Sequence, residues 1–370
     1  VEANRQGFLA ADPTATANAA QPEQQTDQEM AMTTLFKKNW LAAGAINMLL
    51  AISAAGIALP AHAQAGKPLQ VIRLADQPSA EVSYAVVWVA EAMGYFAEEG
   101  IKIERKTYAN GPAALLEFTN GSLDAVMAAV APFMQFAARG GDFKMVVSLT
   151  KGNSALVGLK KYKSYADLNG KKVGVPGLGT THDAVLSYAE QSQNLKFQRV
   201  FGKITDIAVM VEKGEVDAYI GWEPASAMAI AQNPKLHYIA QLPPIKNVES
   251  LEMIVQTKLA KENPELVYGF VRAIRRGIEY TKNNSKEKIA QIIVKKMGDP
   301  NAMPVIMSAL DSVILNDPRV DMPSFRILMN TIAKQGKIPA ELVKDTDGWI
   351  GKYLDYSFLD RAERSLGLAK

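Results

Sequence analysis

The chain has 370 residues, 48% of them hydrophobic and 21% charged, which is enough for two lobes with separate cores. Its formal net charge is only +3, with basic and acidic residues interspersed, so nothing in the charge balance calls for nucleic acid. Cysteine is absent, which excludes disulfides, thiolate catalysis, iron–sulfur clusters and cysteine-ligated zinc.

Residues 1–29 are rich in Ala, Gln, Thr and Asn and lack hydrophobic periodicity. They read as a disordered extension or an over-extended start and are set aside from fold reasoning. Lys37 and Lys38 then precede an apolar run from Trp40 to Leu59, broken by Pro60 and followed by Ala61-His62-Ala63. That order predicts a secretory signal peptide over 30–63, cleaved before Gln64, and hence an exported protein. A retained membrane anchor fits less well, because Asn47 and many Ala and Gly residues dilute the run.

Val71–Ala75 reads as a first strand, followed by the polar loop Asp76-Gln77-Pro78-Ser79 and a helix over Tyr84–Met93. Ile101–Glu104 alternates as a half-buried strand. A helix is expected over Pro112–Phe118, a strand over Asp124–Val130, a helix over Pro132–Ala138 and a strand over Met145–Leu149. Strands separated by single helices predict a mainly parallel sheet flanked by helices, forming a first lobe over 68–155.

Ala155–Leu159 and Leu168–Gly170 are expected to cross to a second lobe over 160–245, where the pattern restarts. Its strands are placed at Lys172–Val175, Asp217–Gly221 and His237–Gln241, and its helices at His182–Gln193, Ala208–Lys213 and Pro224–Ala231. Leu242-Pro243-Pro244 reads as the return crossing, and Glu252–Val255 as a strand rejoining the first sheet. From Asn263, a cap followed by Pro264, helices dominate: Leu266, Phe270, Ile274 and Ile278 recur at four-residue spacing. Further helices are expected near 286–297, 303–314 and 323–334. Residues 250–370 thus predict a return to lobe 1 and a C-terminal helical layer on it, with Arg275-Arg276 on a solvated face.

One unit occurs twice. Gly121-Ser122-Leu123-Asp124-Ala125 opens an apolar run ending at Pro132, and Gly214-Glu215-Val216-Asp217-Ala218 opens another ending at Pro224. A supersecondary unit repeated about ninety residues apart marks two similar lobes, and two lobes imply a cleft.

After the expected cleavage site the histidines are His182 and His237, and no spaced carboxylate cluster accompanies them, so no metal is expected. The G-x-S-x-G, H-E-x-x-H and phosphate-loop motifs are absent, and neither catalytic residues nor a cofactor are assigned. Gly177-Leu178-Gly179-Thr180-Thr181 lies between a strand and a helix, but His182 stands where a dinucleotide fingerprint needs its third Gly. Its glycines permit close backbone approach, and its free N–H groups and two hydroxyls offer donors to an anion. A plain N-cap accounts for one Thr; Gly179, Thr180, Thr181 and the adjoining His182 are therefore candidate ligand contacts. Because the carboxyl ends of parallel strands face the crevice, Gln77 and Ser79 are candidates too, with turn formation as the alternative. Trp222 can wall a pocket, and Glu223 can pair with a cationic or hydroxylated ligand group; interlobe packing and capping are the alternatives. Phe133, at the matching place in the first repeat, reads as core.

The run from Gly94-Tyr95-Phe96-Ala97-Glu98-Glu99-Gly100-Ile101 to Gly121–Ala125 resembles the nitrate, sulfonate and taurine group of periplasmic substrate-binding proteins, the NMT1/THI5-like family. Asp167–Val175 is similar to that family's second-lobe opening, and Asp217-Ala218 with Glu223-Pro224 resembles its later ligand strand. The likeness spans about residues 68–290. It implies the type II two-lobed α/β clamp, a mainly parallel sheet in each lobe and extra C-terminal helices on lobe 1. It further implies a monomeric, non-enzymatic receptor that delivers a small anionic or zwitterionic solute (sulfonate, taurine or nitrate type) to an ABC permease and its ATPase at the inner membrane. The cysteine-rich motif of the thiamine-precursor branch is missing. Two alternatives stay open: a same-fold enzyme of pyrimidine-synthase or dehydratase type, for which His182 is the obvious cleft residue, and a sensory solute-binding module.

Overall fold

Two sheets, each flanked by helices, organise the chain. The structure is a computed structural model that describes residues 68–369, apart from 78, 109–110 and 316; of Glu249 only the backbone is described. The expected signal peptide and the segment before it lie outside the described residues.

The first half of the chain runs β1 (Gln70–Asp76), α1 (Ala85–Ala92), α2 (Tyr95–Glu98), β2 (Ile101–Thr107), α3 (Gly111–Thr119), β3 (Ala125–Ala129), α4 (Val130–Ala138) and β4 (Phe143–Gly152). It continues through β5 (Ala155–Leu159), β6 (Lys172–Val175), α5 (Thr181–Gln193), β7 (Gln198–Phe201), α6 (Ile204–Glu212), β8 (Ala218–Gly221), α7 (Ala225–Gln232) and β9 (Leu236–Ala240). Then come β10 (Glu249–Gln256), α8 (Thr257–Glu262), α9 (Pro264–Asn283), α10 (Lys286–Met297), α11 (Met303–Ala309), β11 (Val313–Ile314), α12 (Met322–Lys334), α13 (Thr346–Gly351) and α14 (Ser357–Ser365).

The strand orders are β11-β4-β10-β3-β1-β2 and β7-β6-β8-β5-β9. In the first sheet β1 pairs in parallel with β2 and β3, while β10 lies antiparallel between β3 and β4. In the second, β6 pairs in parallel with β7 and β8, while β5 lies antiparallel between β8 and β9. Each sheet therefore has one direction for most of its strands, and an inserted antiparallel strand, β10 or β5, arrives by crossing from the other lobe; the two-residue β11 is a further antiparallel strand at the edge of the first sheet. Ala155–Leu159, expected to be the crossing itself, is the inserted β5. Its five residues, four of them fully buried, suit a central position, and the crossing shrinks to Asn153-Ser154. The short, polar edge strand β7 has no counterpart among the expected elements.

The repeated unit has one structural job in both copies. Gly121 and Gly214 turn the chain at φ of 74° and 76°, where a side chain is strained. The Asp124 N–H then donates to the Arg73 carbonyl, and the Asp124 carboxylate accepts the Arg73 N–H at 2.8 Å. In the second lobe the Asp217 N–H donates to the Lys172 carbonyl, and the Asp217 carboxylate accepts the Lys172 N–H at 3.1 Å. Each Asp thus pins its strand to a parallel neighbour, β3 to β1 and β8 to β6. Phe133 is core, edge-on to Phe143 and Phe325.

The C-terminal helices pack on the first sheet through α9, which meets α1 and α14, and two of them reach further: α11 meets α7, and α12 meets α5. Phe270, Ile274 and Ile278 of α9 are buried as the spacing predicts, but Asn263 makes no side-chain cap. Arg275 is not solvated. The helix α14 covers that face, and the guanidinium pairs with Glu279 and with Glu363, each at 3.0 Å. Arg276 stacks on Tyr95 and pairs with Glu98.

Candidate functional site

Four strands of the two sheets, β1, β3, β6 and β8, end at one place, and their C-terminal ends enclose a cavity of about 50 Å³. From the first sheet's side Gln77, Ala80, Ser83, Tyr84, Gly111, Pro112, Ala129, Pro132, Ser250 and Leu251 line it; from the second, Pro176, Thr180, Thr181, His182 and Trp222. Asn153 lines it from the crossing between them. No Lys or Arg is among these residues. Instead α1, α3, α4 and α5 all begin at the wall, and the free N–H groups of helix starts give a neutral surface a positive bias.

Of the expected contacts, the structure brings Gln77, Thr180, Thr181, His182 and Trp222 together on this wall. Ser79, Gly179 and Glu223 are not on it. Ser79, at φ 55°, offers its carbonyl to the Trp222 indole N–H at 3.0 Å, a bond between the two sides. Gly179 lines a separate outer vestibule of about 370 Å³, which shares Pro112 and Pro132 with the inner cavity. Its N–H is taken by Asp183 at 3.0 Å and its carbonyl by the Gln135 amide at 2.7 Å. Leu116 and Leu178 face that vestibule, and both are largely exposed.

Glu223 turns away altogether and is fully buried. Its carboxyl accepts from the Tyr238 hydroxyl at 2.9 Å, the Ala227 N–H at 3.1 Å and the Ser312 hydroxyl at 3.3 Å. Burial raises its pKa to about 7, against the opposing pull of those three donors. The ligand role expected for this side chain is replaced by capping of α7 and a tie to the C-terminal layer.

The Gly177–Thr181 loop is also more committed than its composition suggests. The Thr180 hydroxyl is the N-cap: it accepts the Asp183 N–H and donates to the Gly177 carbonyl. Asp183 is itself held by Arg199 at 2.8 Å. The Thr181 hydroxyl accepts the Ala131 N–H at 3.2 Å, the first-turn N–H of α4 in the opposite wall, and keeps its own proton to donate. One hydroxyl, not two, is free as a donor.

Four polar residues on the wall escaped the sequence reading: Ser83, Tyr84, Asn153 and Ser250. Asn153 adopts φ 57° just after Gly152 at φ 82°, and a Gly-Asn pair between two apolar runs was a usable sign of a sharp chain reversal. Its side chain ties the region together. Oδ1 accepts the Glu223 N–H at 2.9 Å, and Nδ2 donates to the hydroxyls of Ser83 at 2.8 Å and Ser250 at 3.3 Å. Tyr84 has its pKa pushed well up by burial, so it stays protonated and can donate.

His182 packs against Trp222, with ring centroids 5.5 Å apart, and its Nε2 lies 3.2 Å from the Asn153 carbonyl. Burial lowers its pKa to about 4, so the ring is neutral near pH 7. Among the described residues no group of three or more His, Asp or Glu could hold a metal, and no helix is long and apolar enough to cross a membrane. What the wall offers is directed hydrogen bonding from uncharged groups.

Comparison with known proteins agrees with this architecture. A Brucella abortus (strain 2308) protein described as a candidate binding protein is 26% identical over 236 residues, covering 60% of this chain and 72% of the relative. The periplasmic aliphatic sulphonate binding protein of Escherichia coli is similar in structure at TM-score 0.57, with 19% identity over 73% of this chain and 88% of that one. The periplasmic nitrate-binding protein of Synechocystis PCC 6803 is similar at TM-score 0.65, with 14% identity over 80% of this chain and 89% of its own. At those identities the likeness establishes the fold, the two-lobed periplasmic-binding-protein type. The family model described as NMT1/THI5 like matches residues 81–288, more than half of the sequence, and the chain belongs to that family.

Proposed function

We propose that this chain is an exported receptor of an ABC importer, which captures a small anionic or zwitterionic solute in the cavity between its sheets and delivers it to the permease. The observation that carries the reading is the cavity itself: two sheets point their strand ends at it, and helix starts and uncharged donors surround it. Such a wall attracts an oxyanion without a fixed cation, so release needs no ion pair to break. A solute touching both walls favours the closed arrangement by contacts that an open one lacks. The inner cavity suits a headgroup, and the vestibule beyond Pro112 and Pro132 has room for the remainder. The sulphonate- and nitrate-binding relatives support this solute class, and their periplasmic names support export. Gln77, Thr181, His182 and Trp222 are the proposed contacts, with Tyr84 added.

A thermal-shift screen against nitrate, ethanesulfonate, 2-aminoethanesulfonate and small carboxylates tests the proposal. A true solute at a hundred times its Kd is expected to stabilise the protein by about 2.7 kcal/mol. If none of these raises the transition temperature, the proposed solute class is wrong.

A further inference from the structure

We propose that His182 presents a fixed hydrogen-bond acceptor to the cavity, so that the captured solute carries an N–H or O–H donor beside its anionic group. The solute class is then an amino- or hydroxy-substituted sulfonate or carboxylate rather than a bare oxyanion. This rests on capture in the cavity described above and narrows what is captured.

The derivation begins at Asn153. Its backbone carbonyl faces His182 Nε2 at 3.2 Å, and a carbonyl can only accept. Nε2 therefore carries the ring proton. A neutral imidazole has one such proton, which leaves Nδ1 as a lone pair. Among the described residues no donor bonds Nδ1. The ring lines the cavity, so what enters there can supply the donor that Nδ1 lacks within the protein.

Neither the ring nor its partner is free to turn. Trp222 packs against the imidazole at 53°, and the indole N–H is spent on the Ser79 carbonyl. Asn153 is held through its N–H to the Ser312 carbonyl at 2.8 Å and through both ends of its amide. The wall's other side-chain polar groups include hydroxyls, such as those of Thr181 and Tyr84, and the Gln77 amide, each of which can donate. Nδ1 can only accept, so it reads a solute by polarity. An oxyanion satisfies the donors, but with nothing else to offer it leaves Nδ1 desolvated and facing negative charge. Leaving one buried acceptor unmet costs roughly 10- to 100-fold in affinity.

The test compares three solutes of one length and headgroup on the purified full chain by calorimetry: ethanesulfonate, 2-hydroxyethanesulfonate and 2-aminoethanesulfonate, with nitrate as the bare oxyanion. At least one substituted sulfonate is expected to bind tenfold or more tightly than ethanesulfonate and nitrate. His182→Leu is expected to abolish that ratio, and His182→Gln, whose amide can donate to Asn153 while its oxygen accepts, to keep part of it. Independently of any variant, nitrogen NMR of histidine-labelled protein near pH 7 is expected to show one ring protonated at Nε2 and bare at Nδ1, with the Nδ1 resonance moving on binding. Tight but equal binding of all four solutes overturns the inference and leaves the receptor reading standing. If neither these four nor propanoate, 3-hydroxypropanoate and 3-aminopropanoate bind, both readings are overturned. A His182 ring protonated at Nδ1 overturns the inference whatever the affinities.

Discussion

Two buried residues, one on the cavity wall and one turned away from it, tilt the stability curve in opposite directions. Glu223 titrates near pH 7 in the fold and near 4.5 when unfolded, so between those values the folded state holds the extra proton. Its contribution is full below about pH 4.5 and is lost as pH rises to about 7. His182 does the reverse, with a folded pKa of about 4 against 6.5. Its contribution is present above 6.5 and is lost as pH falls through 4. The two slopes offset one another between about pH 4.5 and 6.5. Glu223→Gln keeps the shape and the acceptor oxygen, and its stability relative to the parent is expected to rise by on the order of 3 kcal/mol between pH 4.5 and 8. Urea melts of both proteins across that range check it; a constant difference would remove Glu223 as the source. Glu223 also marks where sequence reading ended. Its type and position fit a ligand partner, and only the arrangement of Tyr238, Ser312 and Ala227 around it shows that its carboxyl is already satisfied.

At the level of elements, the repeated Gly-x-x-Asp-Ala unit explains why some of the fold was legible and some was not. The Gly fixes a left-handed turn, and the Asp closes a paired backbone contact with the neighbouring strand, so both residues are demanded locally and stand out in the sequence. Asp217→Ala leaves the Lys172 N–H and the Tyr162 hydroxyl without their acceptor and is expected to cost about 1–3 kcal/mol in a urea melt. Gly214→Ala is expected to cost about 1 kcal/mol, since φ of 76° is open to Gly and strained for Ala. Both losses would appear without any change in solute affinity at saturating stability. The strands β5 and β7 were harder to read. Apolar Ala155–Leu159 suits a buried strand or a crossing equally well, and the polar run Gln198–Phe201 is a strand only because β6 lies beside it. The cavity wall divides in the same way: Thr180–His182 follow a local loop-to-helix signal, whereas Ser250 is brought in by β10 from far along the chain.

Across the whole molecule, four hydrogen bonds between described residues stitch the two sides of the cavity: Trp222 to Ser79, Gln135 to Gly179, Ala131 to Thr181 and Ser83 to the Glu223 carbonyl. Each is made only when the two sides meet, so together they bias the resting balance between open and closed forms. Trp222→Phe keeps an aromatic wall and deletes one of these ties. It is expected to weaken solute binding several-fold and to raise the radius of gyration of the solute-free protein in X-ray scattering, with little change once solute is saturating. An unchanged scattering curve together with weaker binding would assign Trp222 to direct contact alone.

The inserted strand β10 carries a consequence for how such a protein can be divided or inherited. The second sheet is built from the consecutive strands β5 to β9, but the first is not continuous: β10, which follows the whole second sheet in the chain, sits between β3 and β4. A fragment ending at Asn153 keeps β1 to β4 but has nothing to join β4 to the rest. The first lobe is therefore not a continuous module. Cut in the loop between β9 and β10, the chain gives a first piece that holds the whole second sheet but has a gap between β3 and β4, and the melt of the first lobe is expected to return only on mixing, when the second piece threads its first strand into that gap.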